Sequence, residues 1–190
     1  MLIVVRHGRT PANAAGLLLG RADPALDEVG EEQARLVAQW IGPVDKVVSS
    51  PLLRARQTAA AFGSEVHVDE RFIELDYGVY DGLPVGAIPA EVWKKWRNDP
   101  SYAPEGGESY DGLNERVAAG ATELALEALE HNIVIVTHVS PIKSILSWSL
   151  GGVDDVAFKA RVGQPSVTRI TITAAGPVLH SFNESPPVVH

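Results

Sequence analysis

The sequence predicts an α/β protein with a mostly parallel central sheet, and three observations carry that expectation. Short apolar runs suited to buried strands alternate with helical periodicity from Leu2 to Leu150. Two of the runs, Leu2–Val5 and Ile133–Val136, break off into a polar turn that contains a histidine, His7 or His138. A third, Lys46–Ser49, leads through Ser50 and Pro51 straight into a helix start. In an open parallel sheet all such strand ends open onto one edge, where ligands bind.

In chain order, the first strand turns through Arg6, His7, Gly8, Arg9 and Thr10. Residues 11–24 hold Pro11, Asn13, Gly16, Gly20 and Pro24, a loop with room for at most a short helical turn, in which Asn13, Arg21 and Asp23 are the polar candidates. Asp27 caps the first long helix, with Glu28, Glu31 and Glu32 near its positive end and Val29, Leu36, Val37, Trp40 and Ile41 on one face, until Gly42 and Pro43 stop it. The second strand and its helix carry Leu52, Arg54, Ala55, Arg56, Gln57 and Thr58, and a short strand follows at Val66–Val68. Phe72–Gly82 gives mixed signals, and residues 83–108, rich in proline and glycine, form an irregular excursion over the active site. Within it Trp93 and Trp96 lie on an amphipathic segment suited to packing. A long helix spans Tyr110–Leu129, with Leu113, Val117, Ala121, Leu124 and Ala128 stepping by three and four. Ile133–Val136 is a strand, Ile142–Leu150 a helix, and Ser166–Thr173 pairs with Val178–Phe182 around Ala175, Gly176 and Pro177. Residues 1–184 are expected as one domain and 185–190 as a mobile tail.

Composition narrows the functional classes. A chain of 190 residues with 45% hydrophobic residues can bury one substantial core. The absence of cysteine excludes disulfides and thiolate metal sites. A net charge of −8 opposes non-specific binding to nucleic acid or anionic membranes, so an anionic ligand needs a local cationic pocket. No apolar run approaches the roughly 20 residues of a membrane span, no targeting segment is visible, and cytoplasm is the expected compartment.

The residues at the predicted edge are Arg6, His7, Arg54 and His138, joined from a loop by Glu74. Two guanidinium forks, two imidazoles and one carboxyl group suit a phosphoryl group, with a helix start adding backbone N–H donors. No Walker loop or dinucleotide glycine fingerprint is present.

The same residues resemble the histidine phosphatase superfamily, which includes the cofactor-dependent phosphoglycerate mutases. The matching elements run in family order: Arg6, His7 and Gly8, then Asn13, then Ser50, Pro51, Leu52, Arg54, Ala55, Gln57 and Thr58. Glu74 with Tyr77, Gly78 and Gly82 follows, then Gly106, Gly107, Glu108 and Ser109, and finally Thr137 and His138. The resemblance implies a three-layer α/β/α sandwich and a metal-independent phosphomonoesterase that works through a phosphohistidine. His7 is then the nucleophile and Glu74 the general acid and base, while Arg6, Asn13, Arg54 and His138 hold the phosphate. Arg9, Arg21, Tyr77, Glu108 and Ser109 are candidates for the rest of the substrate, a small-molecule phosphate monoester. Asp76 and Glu108 are rivals to Glu74 for the acid.

Departures from the family pattern bear on its branches. Arg9 stands where an acidic residue is common, and either adds charge at the pocket rim or pairs with Asp23. Val139 replaces a usual glycine after His138. Val85 stands where the mutases carry a lysine, and Lys94 and Lys95 fall near their arginine pair without its planar forks. The phosphatase branch is therefore expected. A mutase, which needs a bisphosphoglycerate primer, is the alternative, and a non-catalytic phospholigand-binding module the second. No other cofactor and no metal is expected.

Overall fold

A computed structural model describes residues 1–153 and 156–186. Six strands form one sheet: β1 (Leu2–Arg6), β2 (Lys46–Ser49), β3 (Val66–Val68), β4 (Ile133–Thr137), β5 (Ser166–Thr173) and β6 (Gly176–Glu184). Their spatial order is β3-β2-β4-β1-β5-β6. The first four run parallel, and β5 and β6 close one side as an antiparallel hairpin. The fourth strand is thus inserted between the first two, which brings the two histidine-bearing strand ends side by side.

Helices cover both faces. α2 (Glu28–Ile41) and α3 (Leu53–Ala60) pack on one, where Ile3, Val5, Val47, Val134 and Val136 meet Val37, Ala55 and Ala59. α4 (Ala90–Asn98), α5 (Tyr110–Glu127) and α6 (Val139–Ser149) pack on the other, where Leu2, Val4, Ile133 and Ile135 meet Trp96, Leu113, Val117, Leu124, Ile142 and Ile145. Successive side chains of a strand point to opposite faces, so a sheet covered on both sides requires the unbroken apolar runs seen in β1 and β4. The architecture is the expected α/β/α sandwich with a mostly parallel sheet. The short helices α1 (Pro11–Ala14) and α7 (Val156–Lys159) complete the α-helices among the described residues, and single 3-10 turns lie at Glu70–Phe72, Gly78–Tyr80 and Val85–Ala87.

Element boundaries differ from the sequence expectation mainly at α6. Its first turn begins at Val139, three residues before the expected Ile142, and includes Pro141. Proline is tolerated there because first-turn amides have no acceptor within the helix. α5 ends at Glu127, two residues short of Leu129. Of the expected tail, residues 187–190 lie outside the described residues.

Two close approaches fix the edge of the sheet to its surroundings. A Cβ on Gly30 of α2 would stand 2.0 Å from the carbonyl oxygen of Arg9, and one on Gly8 2.3 Å from that of Gly30. Backbone therefore meets backbone at the turn after β1. In residues 83–108, Trp96 is fully buried with Tyr77, Tyr80, Trp93 and Tyr102 around it at ring-centroid distances of 5.2 to 6.3 Å. Leu18 ties this segment to the loop after α1, donating to the Leu83 carbonyl at 2.8 Å and accepting from the Gly82 amide at 2.8 Å. No helix among the described residues is long and apolar enough to cross a membrane.

Candidate active site

The register pairs Arg6 with Thr137, so His7 and His138 leave neighbouring parallel strands at the same edge. Their ring centroids are 5.0 Å apart and both rings are sealed from solvent. The Nδ1 of His7 donates to its neighbour's carbonyl, Gly8 O, at 2.7 Å. A carbonyl can only accept, so the proton sits on Nδ1 and the Nε2 lone pair is free. Burial pushes the His7 pKa well below its ordinary value, and the Arg54 and Arg6 cations push it further. The imidazole is therefore neutral.

The second histidine, at the N-cap of α6, has Nε2 at 2.7 Å from Ser50 Oγ. Its Nδ1 is buried with no partner. Arg6 uses Nη1 on the carbonyls of Val162 and Gly163, at 3.0 and 3.3 Å, and its buried Nε is also unpaired. Burial lowers its pKa to about 10, which leaves it a cation at neutral pH. Arg54, with no solvent exposure, donates through Nη1 to Ala22 O at 2.7 Å and through Nη2 to Gly20 O at 2.9 Å, again leaving Nε unpaired. Unsatisfied buried donors are rare and costly. Two of them, Arg6 Nε and Arg54 Nε, on residues that also perturb the His7 imidazole describe a site shaped for an anion.

Glu74 is the remaining sealed charge, with its Oε1 accepting from Leu75 N at 2.7 Å and its carboxyl group from Ser140 N at 3.2 and 3.4 Å. Burial raises its pKa, against hydrogen bonds from Leu75 and Ser140 and the charge of Arg54, which lower it. Its two rivals are committed elsewhere. Asp76 caps Gly78 N at 2.9 Å and lies 3.9 Å from Arg21, half-buried. Glu108 makes a bidentate pair with Arg116, at 2.7 and 2.8 Å, that holds its carboxylate below the usual range despite burial.

The remaining expected site residues are engaged with protein groups in different ways. Asn13 Oδ1 collects Thr10 N, Thr10 Oγ1 and Gln164 Nε2 at 3.2, 3.0 and 2.9 Å, so only its amide nitrogen is left to donate. Tyr77 is buried, with its hydroxyl 2.9 Å from Ser140 Oγ. Ser109 caps α5 by accepting from Gly112 N at 3.2 Å. Arg21 turns towards Glu108, at 3.4 Å. Arg9 pairs with Asp27 at 2.8 Å, not with Asp23, because the contact between Gly8, Arg9 and Gly30 lays it along the first turn of α2. Asp23 instead accepts from Leu53 N at 2.7 Å, at the start of α3.

Supporting residues hold these groups from behind, and of them only Thr58 belongs to a matched motif. Gln164 donates to the carbonyls of His7 and Gly8 at 3.3 and 3.2 Å, and Thr58 joins Gly8 N at 3.0 Å to Arg54 O at 2.7 Å. Arg116 spans the carbonyls of Arg71, Ile73 and Glu74 at 2.7, 2.8 and 3.3 Å. Among the described residues no group of three or more histidine or acidic side chains is arranged to hold a metal ion.

The chain is similar to known proteins. A bifunctional protein of Mycobacterium tuberculosis is 32% identical over 185 residues, covering 92% of this chain and 51% of its own. This chain therefore spans about half the length of the first curated relatives it matches. Phosphoserine phosphatase 1 of Hydrogenobacter thermophilus is 32% identical over 160 residues, covering 79% of this chain and 76% of its own. Among solved structures, a mutant phosphoserine phosphatase from Entamoeba histolytica in complex with phosphoserine superposes with a TM-score of 0.88, at 31% identity and 96% coverage of both chains. The family model of the histidine phosphatase superfamily (branch 1) matches residues 2–185, and the chain belongs to that superfamily.

Proposed function

We propose that this protein is a phosphomonoesterase that hydrolyses a small-molecule phosphate monoester through a phosphohistidine on His7. The observation that carries the reading is the His7 Nδ1–H bond to Gly8 O at 2.7 Å, which leaves Nε2 as a free lone pair among unpaired buried donors.

The chemistry follows from the positions. Nε2 attacks phosphorus as the ester P–O bond breaks, and protonated Glu74 delivers its proton to the departing alkoxide. Arg6 Nε and Arg54 Nε donate to the phosphoryl oxygens, joined by His138 Nδ1 in the tautomer whose Nε2 accepts from Ser50 Oγ, and preorganised donors of this kind supply most of the acceleration in phosphoryl transfer. The Glu74 carboxylate then takes a proton from water, the resulting hydroxide attacks phosphorus, and the P–N bond breaks with its electron pair returning to Nε2. Inorganic phosphate leaves and the imidazole is restored.

Hydrolysis is favoured over mutase chemistry by the residues outside the phosphate pocket. Val85 stands exposed at the position of the mutase lysine, and Lys95 lies over the Tyr102 ring at 5.4 Å. The likeness to proteins named phosphoserine phosphatases supports starting the search for substrates with phosphorylated small molecules.

The test is a panel of phosphate monoesters assayed from acidic to neutral pH, with a chelator present, and with 3-phosphoglycerate plus bisphosphoglycerate primer as one member. Phosphate release that survives the chelator and falls about 10³-fold or more in His7→Ala is the expected result. Conversion of 3- to 2-phosphoglycerate without net phosphate release would replace the hydrolase by the mutase. Binding of phosphate esters with no turnover of any kind would make the protein a binding module.

A further inference from the structure

Arg54 is the most deeply buried cation of the pocket, yet it touches no carboxylate directly. Both of its Nη groups end on backbone carbonyls, those of Gly20 and Ala22, at 2.9 and 2.7 Å. The amides of the same two residues point the other way and donate to one side chain. Gly20 N reaches Asp81 Oδ1 and Ala22 N reaches Asp81 Oδ2, both at 2.8 Å. A three-residue stretch of backbone is thus gripped on its N–H side by a carboxylate and on its C=O side by a guanidinium. Its room to shift is small, since a Cβ on Gly20 would stand 2.9 Å from both Leu75 O and the Tyr77 ring.

From this alternation we infer that Asp81 is a positioning residue for Arg54, acting through the Gly20–Ala22 backbone to set the plane in which the guanidinium offers Nε to the phosphate. Two carbonyls fix that plane only if the carbonyls are themselves fixed, and the bidentate acceptor for their amides is Asp81. Charge works in the same direction: Asp81 and Asp23, the latter 3.9 Å from Nη1, both favour the buried cation. Asp23 is half in solvent and bonded to the Leu53 amide, so it cannot orient the Gly20–Ala22 stretch. Asp81 lies next to Gly82 and Leu83, whose backbone is laced to Leu18. The segment that opens the excursion over the site is in this way tied to the phosphate pocket.

The inference concerns the phosphate site whether or not turnover follows, so its test reads binding as well as rate. Affinity for inorganic phosphate and for orthovanadate is measured by calorimetry on the full chain, together with kcat and KM on the best monoester. The four proteins are wild type, Asp81→Ala, Arg54→Ala and the double variant. Asp81→Ala is expected to weaken oxyanion binding and kcat/KM by about 10- to 100-fold, the scale of a misplaced catalytic group. In the Arg54→Ala background the same change should cost less than about 2-fold in oxyanion affinity, because coupled residues are not additive. Equal losses in both backgrounds would show a merely structural role and overturn the inference, as would unchanged affinity in Asp81→Ala. Should that variant fail to fold, Asp81→Asn keeps the shape and one of the two acceptors. It is expected to lose about 3- to 10-fold, again only when Arg54 is present, and wild-type affinity in it would overturn the inference too. Wild-type protein that binds phosphate but turns over no monoester would sink the hydrolase reading while leaving the binding cycle to decide the role of Asp81.

Discussion

The carboxyl group of Glu74 lies against the backbone amide of Ser140, at 3.2 and 3.4 Å, in the first turn of the helix that His138 caps. The proposed acid and one proposed phosphate ligand are thereby locked to one helix start. Its raised pKa, caused by burial, and the lowered one of His7, caused by burial and by Arg54 and Arg6, set the pH dependence. On the proposed mechanism, free enzyme is competent when His7 is neutral and Glu74 protonated. His7 stays neutral well below its ordinary value of about 6.5, and Glu74 stays protonated above its ordinary value of about 4.3. The kcat/KM profile is expected to peak on the acidic side of neutrality and fall as pH rises through the Glu74 pKa. Glu74→Gln should lower kcat by about 10²- to 10⁴-fold for an alkyl phosphate and less for phosphoryl transfer from a nitrophenyl phosphate, whose leaving group needs no proton. A maximum on the alkaline side would contradict the assignment.

The same burial makes a prediction about stability. A carboxyl group whose folded pKa is raised binds its proton more tightly in the folded state, so its contribution is full below the unfolded pKa and is lost as pH rises through the folded one. Glu74→Gln removes the buried charge. Its melting temperature should exceed that of wild type at neutral pH, and the gain should vanish in acid, as followed by circular dichroism in matched buffers. A variant less stable than wild type at neutral pH would mean that the ionised carboxylate is better satisfied than its two amide bonds indicate.

Arg116 supplies the third prediction. It is bonded to Glu108 and to the carbonyls of Arg71, Ile73 and Glu74, so it holds the segment that carries the acid without touching the phosphate site. Arg116→Ala leaves a carboxylate and three carbonyls to find other partners, and should cost about 2–3 kcal/mol of stability. It should also lower kcat more than it raises KM. Arg116→Lys restores the charge but not the fork and should recover only part of kcat. A kcat within two-fold of wild type in a folded Arg116→Ala protein would remove Arg116 from the account.

The fold and the centre of the site were legible where local chemistry was unusual. β1 and β4 announced themselves as apolar runs that end in histidine, and Arg54 by its place just inside a helix start. Glu74 is placed at the edge by the sequence but singled out as the acid only through the resemblance, since three carboxyl groups compete for that role and burial, which separates them, is a tertiary property. Arg116, Ser140, Asp81 and Gln164 carried no local signal. Each works through backbone groups that the fold brings from 40 or more residues away in Arg116, Asp81 and Gln164 towards Arg71, Gly20 and His7. The Arg9 partner was misread for a related reason: Asp23 and Asp27 are equivalent in composition, and only the contact of Gly8 with Gly30 distinguishes them. The first turn of α6 was missed because Pro141 reads as a helix breaker, although a first turn has no need of its amide.

That contact of glycines yields the last prediction. Gly30→Ala would place a methyl group 2.0 Å from Arg9 O and 2.8 Å from Arg9 N, both backbone atoms that cannot rotate aside. Either α2 moves outward or the turn after β1 moves, and that turn carries Gly8 O, the acceptor that fixes the His7 tautomer. Overpacking of this kind costs about 1–3 kcal/mol, and a displaced turn should lower kcat as well. Gly86→Ala is the control, since a Cβ there meets nothing within 4 Å and the change should stay within about 0.5 kcal/mol of wild type. Chemical denaturation of the two variants beside wild type reads the stability difference, and the phosphatase assay reads the turn. If Gly30→Ala matches Gly86→Ala in both, the backbone contact is not what holds His7 in place.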